Sequence, residues 1–376
     1  MRRYRIGIFS REGSPTDGGA DTLLCTLGGK LATPVADERI EWVPVPWEAW
    51  SYRRRPLQYL RRKAARFFGH ELPSVDLRPV CRRLRLDLAY FTAPVFARID
   101  IPFVFTLWDL GHRTIPEFPE VRRGRDSWAQ REALCRQMLG QASFVVVGNQ
   151  AGAAEARELF GLSAERVVAV PFPNPDFSAV PEKVPAWLPP RPFFLYPAQG
   201  WPHKNHFTLL QALALMAKAG PMAPDLVFVG SDKGNFAHLK STAASLGLAE
   251  RVHFAGFVER GELKALYRAA AGLVFPSLLG PNNLPPQEAA VLGCPVILSD
   301  LPGHREQLGE GALYVSPLDA AAWGRAMMQV LTDEGLRRSL VARAREIVAG
   351  YSAEAYVGRI GELFSRLAAT RALWGD

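Results

Sequence analysis

Glu288 is the one ionisable side chain in GPNNLPPQE, residues 280 to 288. Pro285 and Pro286 precede it, a small-residue helical run follows it, and an apolar run ending in Ser299 and Asp300 closes the unit. A carboxylate in the first turn of a helix gains roughly 0.3–1 kcal/mol from the helix dipole. The same group can take paired hydrogen bonds from a ribose diol, as the acid of a dinucleotide-binding fold does. Both readings fit Glu288. Ser277 stands ahead of it at the end of a strand-like run. Lys204, in YPAQGWPHKNHFTLL, lies between a strand pattern and a helix pattern, which puts its ammonium at the carboxyl edge of a sheet. Pro202 fixes the turn and Asn205 is placed to cap the helix that starts at His206. A cation there suits a phosphate; a solvated loop lysine is the plain alternative. In the first half, Gly18 and Gly19 let a backbone approach an anion at a helix N-terminus, or form an ordinary turn. The first loop lacks GxGxxG spacing and the chain has no GxxxxGK[ST], so neither dehydrogenase nor P-loop chemistry is indicated.

These residues need elements that hold them at sheet edges, and the sequence supplies them. Strand-like runs at 4–9, 86–91, 103–107, 143–147 and 167–170 alternate with helical stretches at 21–31, 122–140 and 151–160. Residues Pro171 to Pro192 then carry eight prolines, which can neither continue a helix nor sit inside a sheet. They read as a linker. The alternation restarts with strands at 193–197, 225–230, 252–255, 272–275, 295–298 and 312–315. Helices are expected at 206–219, 236–246, 260–270 and 286–292, and a helical region from 320 to about 373 breaks at Gly350 and Tyr351. Alternating strands and helices predict parallel sheets covered on both faces.

The 376 residues are 48% hydrophobic and 22% charged, with a net charge of +8. The length fits two domains. The charge suits a polyanionic partner or a generally basic background. Cys25, Cys81, Cys135 and Cys294 form no CxxC pair, so no zinc site is indicated and buried free thiols in a reducing compartment are expected. The N-terminus has too short an apolar core for a signal peptide, and no run approaches the roughly twenty apolar residues of a membrane span. The chain is expected to be cytoplasmic. From Arg53 to Arg66, basic residues surround Leu57, Leu60 and Ala64 at helical spacing. Such a helix suits an anionic membrane surface, on its inner face, or packs on its own domain with solvated arginines. No stacking platform or base-reading motif points to nucleic acid.

The second half resembles the nucleotide-sugar domain of retaining glycosyltransferases of family four. The resemblance rests on YPAQGWPHKN, FVGSD, VHFAGFV and LYRAAAGLVFPSLLGPNNLPPQEAAVLGCPVILSDLPGHREQLGEGALYVSP. The first half matches at TLWDLGHRTIPEFPE and VVVGNQAGAAEARELFGLSAERVVAVPFPNP. Order and spacing agree best from Pro276 to Pro317. The resemblance implies an α/β protein of GT-B fold: two Rossmann-like, doubly wound parallel-sheet domains facing a central cleft. Their bounds would be 1–175 and 193–351, joined by a linker at 176–192, with the helix at 352–376 packing back on the first domain.

Residue by residue, the resemblance implies that Lys204 contacts the donor diphosphate and Glu288 binds the ribose hydroxyls. Asn205 adjoins Lys204 in the same segment. Gly256, Phe257 and Val258 would present the backbone that reads the base. Pro281, Asn282, Asn283 and Leu284 would form the loop whose amides touch the donor sugar and phosphate, and Gly18 and Gly19 the loop that closes on the donor. Three positions depart from the family. Gly280 stands where a sugar-reading glutamate is usual, Gln199 where a diphosphate arginine is usual, and Trp108 where the histidine of a His-Asp pair is usual. Asp109 follows Trp108, and His112 lies three residues beyond Asp109; both are candidates for positioning sugar or acceptor.

The expected activity is retaining transfer of a hexose or deoxyhexose, of mannose or rhamnose type, from a nucleoside-diphosphate sugar to a lipid-linked or polysaccharide glycan, with Lys204 stabilising the leaving group. No metal or other cofactor is expected, and no nucleic-acid partner. Gly280 suggests a donor other than plain glucose or mannose, such as a 6-deoxy sugar. The rival reading is a non-catalytic nucleotide-sugar-binding subunit of another transferase, favoured by Gly280 and Gln199.

Overall fold

The structure, a computed structural model, describes residues 3–10, 26–27, 37–46, 75–122, 127–220 and 222–373. The chain divides into two compact units, Met1–Pro173 with Ser352–Asp376, and Asn174–Tyr351. Residues 176–192, expected as a linker, lie within the second unit and are tied to it. Phe177 is buried, and the Lys264 ammonium donates to the carbonyls of Phe177 and Val180 at 2.9 and 2.7 Å. Arg191 donates to the buried Asp225 carboxylate at 2.9 Å. The prolines bar regular structure but leave side chains free to pack.

The strands are β1 (Tyr4–Phe9), β2 (Ile40–Val45), β3 (Val75–Asp76), β4 (Leu88–Phe91), β5 (Ala97–Arg98), β6 (Phe103–Thr106), β7 (Phe144–Val147) and β8 (Val167–Ala169) in the first unit. In the second they are β9 (Phe193–Pro197), β10 (Asp225–Val229), β11 (Val252–Gly256), β12 (Gly272–Phe275), β13 (Val296–Ser299) and β14 (Leu313–Val315). The first main sheet runs β2-β1-β4-β6-β7-β8 and the second β11-β10-β9-β12-β13-β14, while β3 and β5 pair separately. The described pairings are parallel. Strands such as FVVV and DLVFV are buried at every position, as parallel strands covered on both faces must be. β2 is not evident in the sequence because Glu41 and Pro44 interrupt its pattern, and its edge position accommodates both.

The helices carry their signals locally. Asn149 caps Gln150–Phe160 by accepting from the Gly152 amide at 2.9 Å, and Gly161 ends it in the left-handed region at φ 62°. Glu259 and Glu262 form a capping box on Arg260–Ala269. The region from Ala320 breaks at Asp333 as well as after Val348, because the Asp333 carboxylate caps a new helix by accepting from Leu336 N at 2.8 Å. The last helix, Ala353–Arg371, belongs to the first unit: Tyr356 meets the Tyr90 hydroxyl at 2.7 Å, and Phe364 packs edge-on against Trp42 and Tyr90. Cys81, Cys135 and Cys294 are free and buried. No described helix is long and apolar enough to cross a membrane. Gly18, Gly19, Cys25, most of the expected helix at 21–31 and the basic stretch Arg53 to Arg66 lie outside the described residues.

Candidate functional site

In the second unit the chain order reverses between β9 and β12, which are neighbours at the centre of the sheet. A crevice beyond the carboxyl ends of the strands at such a switch is where this sheet type takes ligands. Two loops leave from there, residues 198–205 after β9 and 276–283 after β12, and they are bonded to each other. Leu278 N donates to the His203 carbonyl at 2.9 Å. Asn205 Nδ2 donates to the carbonyls of Pro276 and Pro317 at 3.1 and 2.7 Å. Asn205 precedes the helix His206–Ala219 as expected, but in the left-handed region at φ 57° and without a side-chain cap; an asparagine tolerates that conformation. Its side chain ties the loops together instead.

Lys204 ends a single 3-10 turn, Pro202–Lys204. Its ammonium donates to Asn283 Oδ1 at 3.1 Å and sits 5.2 Å from the centre of the Phe275 ring, within cation–π range. Asn283 Nδ2 is 3.0 Å from His304 Nε2, and His304 Nδ1 is 2.9 Å from the Ser299 carbonyl. The polarity of this chain is set at its ends: an ammonium only donates and a carbonyl only accepts. Asn283 therefore turns its oxygen to Lys204 and its NH2 to His304, and His304 is the neutral Nδ1–H tautomer. Burial, helped by the Lys204 charge, lowers the His304 imidazole to about 4, which agrees. Gln307 Nε2 donates to the Asn283 carbonyl at 2.5 Å. Asn282 Nδ2 and Gln307 Oε1 are buried without a protein partner, the state of a polar loop that expects a further hydrogen-bonding group.

Glu288 lies in the helix Leu284–Leu292, which begins two residues earlier than the sequence suggests. The two prolines are therefore inside its first turn and Glu288 is in the second, so dipole capping does not account for it. Prolines carry no N–H, which reduces the orphan donors of this helix start to the amides of Asn283 and Leu284. Glu288 is 7% exposed, and its carboxylate accepts from the Tyr267 hydroxyl at 2.7 Å. Burial raises its pKa, opposed by the Tyr267 hydrogen bond and the Arg260 charge.

The remaining edge residues form the rim. Gly256 ends β11 at φ +69° and accepts from Gly230 N at 2.7 Å. Phe257 beyond it is 56% exposed, while Val258 is buried. Gln199 Oε1 accepts from Trp201 Nε1 at 2.8 Å, so this amide orients the indole. Pro281 packs over Gly303, where a Cβ would lie 2.5 Å from the Pro281 carbonyl oxygen. Leu284 is buried.

The structure brings Lys204, Asn205, Asn283 and, one helix start away, Glu288 to one sheet edge. Asp109 and His112 lie in the first unit, beyond β6. Asp109 pairs with Arg131 and accepts from Gly111 N at 2.8 Å. His112 is fully buried against Glu132, at 3.2 Å, with Trp128 and Phe160 beside its ring. Burial first, then Arg131, lowers its pKa, while the Arg113 guanidinium holds Glu132 down at about 2. That places His112 in a packed ionic core. Tyr267 and His304 were not evident in the sequence. Tyr267 reads as one more apolar-face residue of LYRAAAG, and each meets its partner 21 residues away. Among the described residues no group of three His, Cys, Asp or Glu side chains is placed to hold a metal ion.

Comparison with known proteins places a family match on the second unit. Residues 182–347 match the family model for glycosyl transferases group 1. An O-antigen chain mannosyltransferase, RfbU of Salmonella typhimurium, is 34% identical over 138 residues, 37% of this chain and 38% of that protein. O-antigen chain mannosyltransferase B of Escherichia coli is 27% identical over 248 residues, 64% of each chain. The chain thus spans less than two thirds of these relatives' lengths. Among solved structures, Anabaena Alr3699/HepE in complex with UDP-glucose superposes with a TM-score of 0.68 at 17% identity, over 96% of this chain and 99% of that one. That likeness shows the fold, GT-B, with two Rossmann-like parallel-sheet units.

Proposed function

From the premise that residues 182–347 form a glycosyl transferases group 1 domain, we propose that the chain is a glycosyltransferase of surface-polysaccharide synthesis. It moves a mannose-type hexose or deoxyhexose from a nucleoside-diphosphate sugar to a hydroxyl of a lipid-linked or polysaccharide glycan, with retention of configuration. The observation that carries this reading is the placement of one cation, Lys204, and one buried carboxylate, Glu288, beyond the carboxyl edge at the switch point of the second sheet. The names of the O-antigen relatives supply the sugar and glycan classes.

Glu288 takes the ribose diol, and its Tyr267 bond leaves further lone pairs to accept from two hydroxyls. Lys204 meets the diphosphate. As the bond from sugar C1 to phosphate oxygen breaks, charge gathers on the departing diphosphate, and a cation fixed there strengthens its hold as the charge develops. The amides of Asn283 and Leu284 act in the same direction, so the leaving-group charge needs no bound metal. The acceptor oxygen bonds to C1 on the face the phosphate leaves, and its proton passes to a phosphate oxygen. The basic stretch Arg53 to Arg66, outside the described residues, is proposed to bring the chain to an anionic membrane. A thermal-shift screen of UDP, GDP and dTDP and their sugars tests donor binding. A ligand at 100-fold over its Kd stabilises the folded chain by about 2.7 kcal/mol. One base should give that shift; no shift with any of them refutes the reading.

A further inference from the structure

Gly280 need not be glycine for backbone reasons: its φ lies outside the left-handed range that excludes other residues. The reason is space. A Cβ at 280 would lie inside the contact surface of Asn283 Nδ2, and within 3.1 Å of Asn283 Cγ and of His304 Nε2. The seat that a side chain at 280 would fill is occupied by the Asn283 amide. That amide is held at both ends, Nδ2 by His304 and Oδ1 by Lys204, and the Asn283 main-chain carbonyl accepts from Gln307 Nε2. His304 in turn is fixed by the Ser299 carbonyl.

We propose that Gly280, Asn283 and His304 form one donor-reading unit, in which the missing side chain at 280 seats a neutral amide that orients Lys204 toward the diphosphate-sugar end of a nucleoside-diphosphate sugar. This rests on the proposed function and deepens it. An amide oxygen steers an ammonium without cancelling its charge; a carboxylate in its place, from Asn283→Asp, would neutralise it and repel the donor phosphates. The missing side chain at Gly280 thus goes with the amide seated in its space. The buried, unpartnered Asn282 Nδ2 and Gln307 Oε1 belong to residues beside Asn283, the first its neighbour in the chain and the second bonded through its Nε2 to the Asn283 main-chain carbonyl. A sugar hydroxyl is the group that can accept from the first and donate to the second. His304 acts through Asn283 and is a positioning residue.

The test is a double-mutant cycle on the full-length chain, read by calorimetric binding of two probes: the nucleoside-diphosphate sugar with the largest thermal shift, and the nucleoside monophosphate of the same base. The monophosphate reaches Glu288 but lacks the diphosphate-sugar end. Gly280→Ala should weaken the diphosphate sugar tenfold or more and the monophosphate less than twofold. In an Asn283→Ala background the same Gly280→Ala change should cost less than twofold, because the amide it displaces is gone. His304→Phe should mimic Asn283→Ala, and His304→Gln, whose amide oxygen can accept from Asn283, should recover at least half the loss in log Kd. Asn283→Asp should bind the diphosphate sugar less well than Asn283→Ala. Equal Gly280→Ala losses in both backgrounds, or matching losses for both probes, overturn the unit. A wild-type chain that binds none of the nucleotide sugars overturns the functional reading itself, and the donor role of this unit with it.

Discussion

Tyr267→Phe removes one hydroxyl and leaves a ring of nearly the same shape in a fully buried position. What it takes away is the 2.7 Å donor to the Glu288 carboxylate; the second contact of that hydroxyl, to the Pro285 carbonyl at 3.3 Å, is weaker. A hydrogen bond to a charged group contributes about 1.5–3 kcal/mol, and one between neutral groups about 0.5–1.5 kcal/mol. Glu288 already has a raised pKa from burial, held in check by the Tyr267 hydrogen bond, and losing that donor raises it further. The sign follows. A carboxylate whose folded pKa lies above its unfolded value holds its proton longer when folded, so its contribution to stability falls as pH rises through the window between the two values. Tyr267→Phe widens that window upward. Urea unfolding of wild type, Tyr267→Phe, Glu288→Gln and the double variant, at pH 8 and near pH 4.5, measures it. The loss from Tyr267→Phe should be about 1.5–3 kcal/mol at pH 8, should shrink at acid pH, and should shrink at pH 8 when Glu288 is already glutamine. A loss independent of pH and of residue 288 would refute the reasoning, leaving Tyr267 as packing alone.

Other outcomes follow from the same geometry. Burial holds His206 at about 3 and His304 at about 4, against 6.5 when unfolded. Unfolding therefore takes up two protons below pH 6.5, and stability should fall by about 1.4 kcal/mol per histidine for each pH unit down to about pH 4. Urea unfolding of wild type and His206→Phe/His304→Gln checks this, and identical slopes would contradict it. Neutralising Arg61, Arg62 and Lys63 should reduce sedimentation with vesicles containing anionic lipid, by about 1 kcal/mol per charge near the surface; unchanged binding, or none by wild type, would remove the membrane role.

Much of the fold was legible because its strands are buried on both faces and so appear as uninterrupted apolar runs, as in FVVV and DLVFV. β2 was not, since an edge strand tolerates Pro44 and Glu41. The two ends of the site, Lys204 and Glu288, stood out by charge in apolar surroundings. Their partners did not. Tyr267 and His304 sit in ordinary helical patterns and acquire meaning only through bonds to residues brought near by the fold. Gly280 illustrates the limit best. In the sequence it is a missing acid; in the structure it is the space that an amide three residues away requires. The proline-rich segment misled in the opposite direction, because proline forbids regular structure without forbidding packing.

The most direct test is sugar transfer by the purified chain alone. Labelled nucleotide sugar of the base that binds is incubated with lipid-linked glycan acceptor, and product is counted for wild type, Lys204→Ala and Glu288→Ala. The account predicts product from wild type and at least a tenfold lower rate from each variant, a barrier change of about 1.4 kcal/mol or more. A wild-type chain that binds the donor but forms no product would make it a binding subunit, and variants that turn over like wild type would contradict the assignment of Lys204 and Glu288.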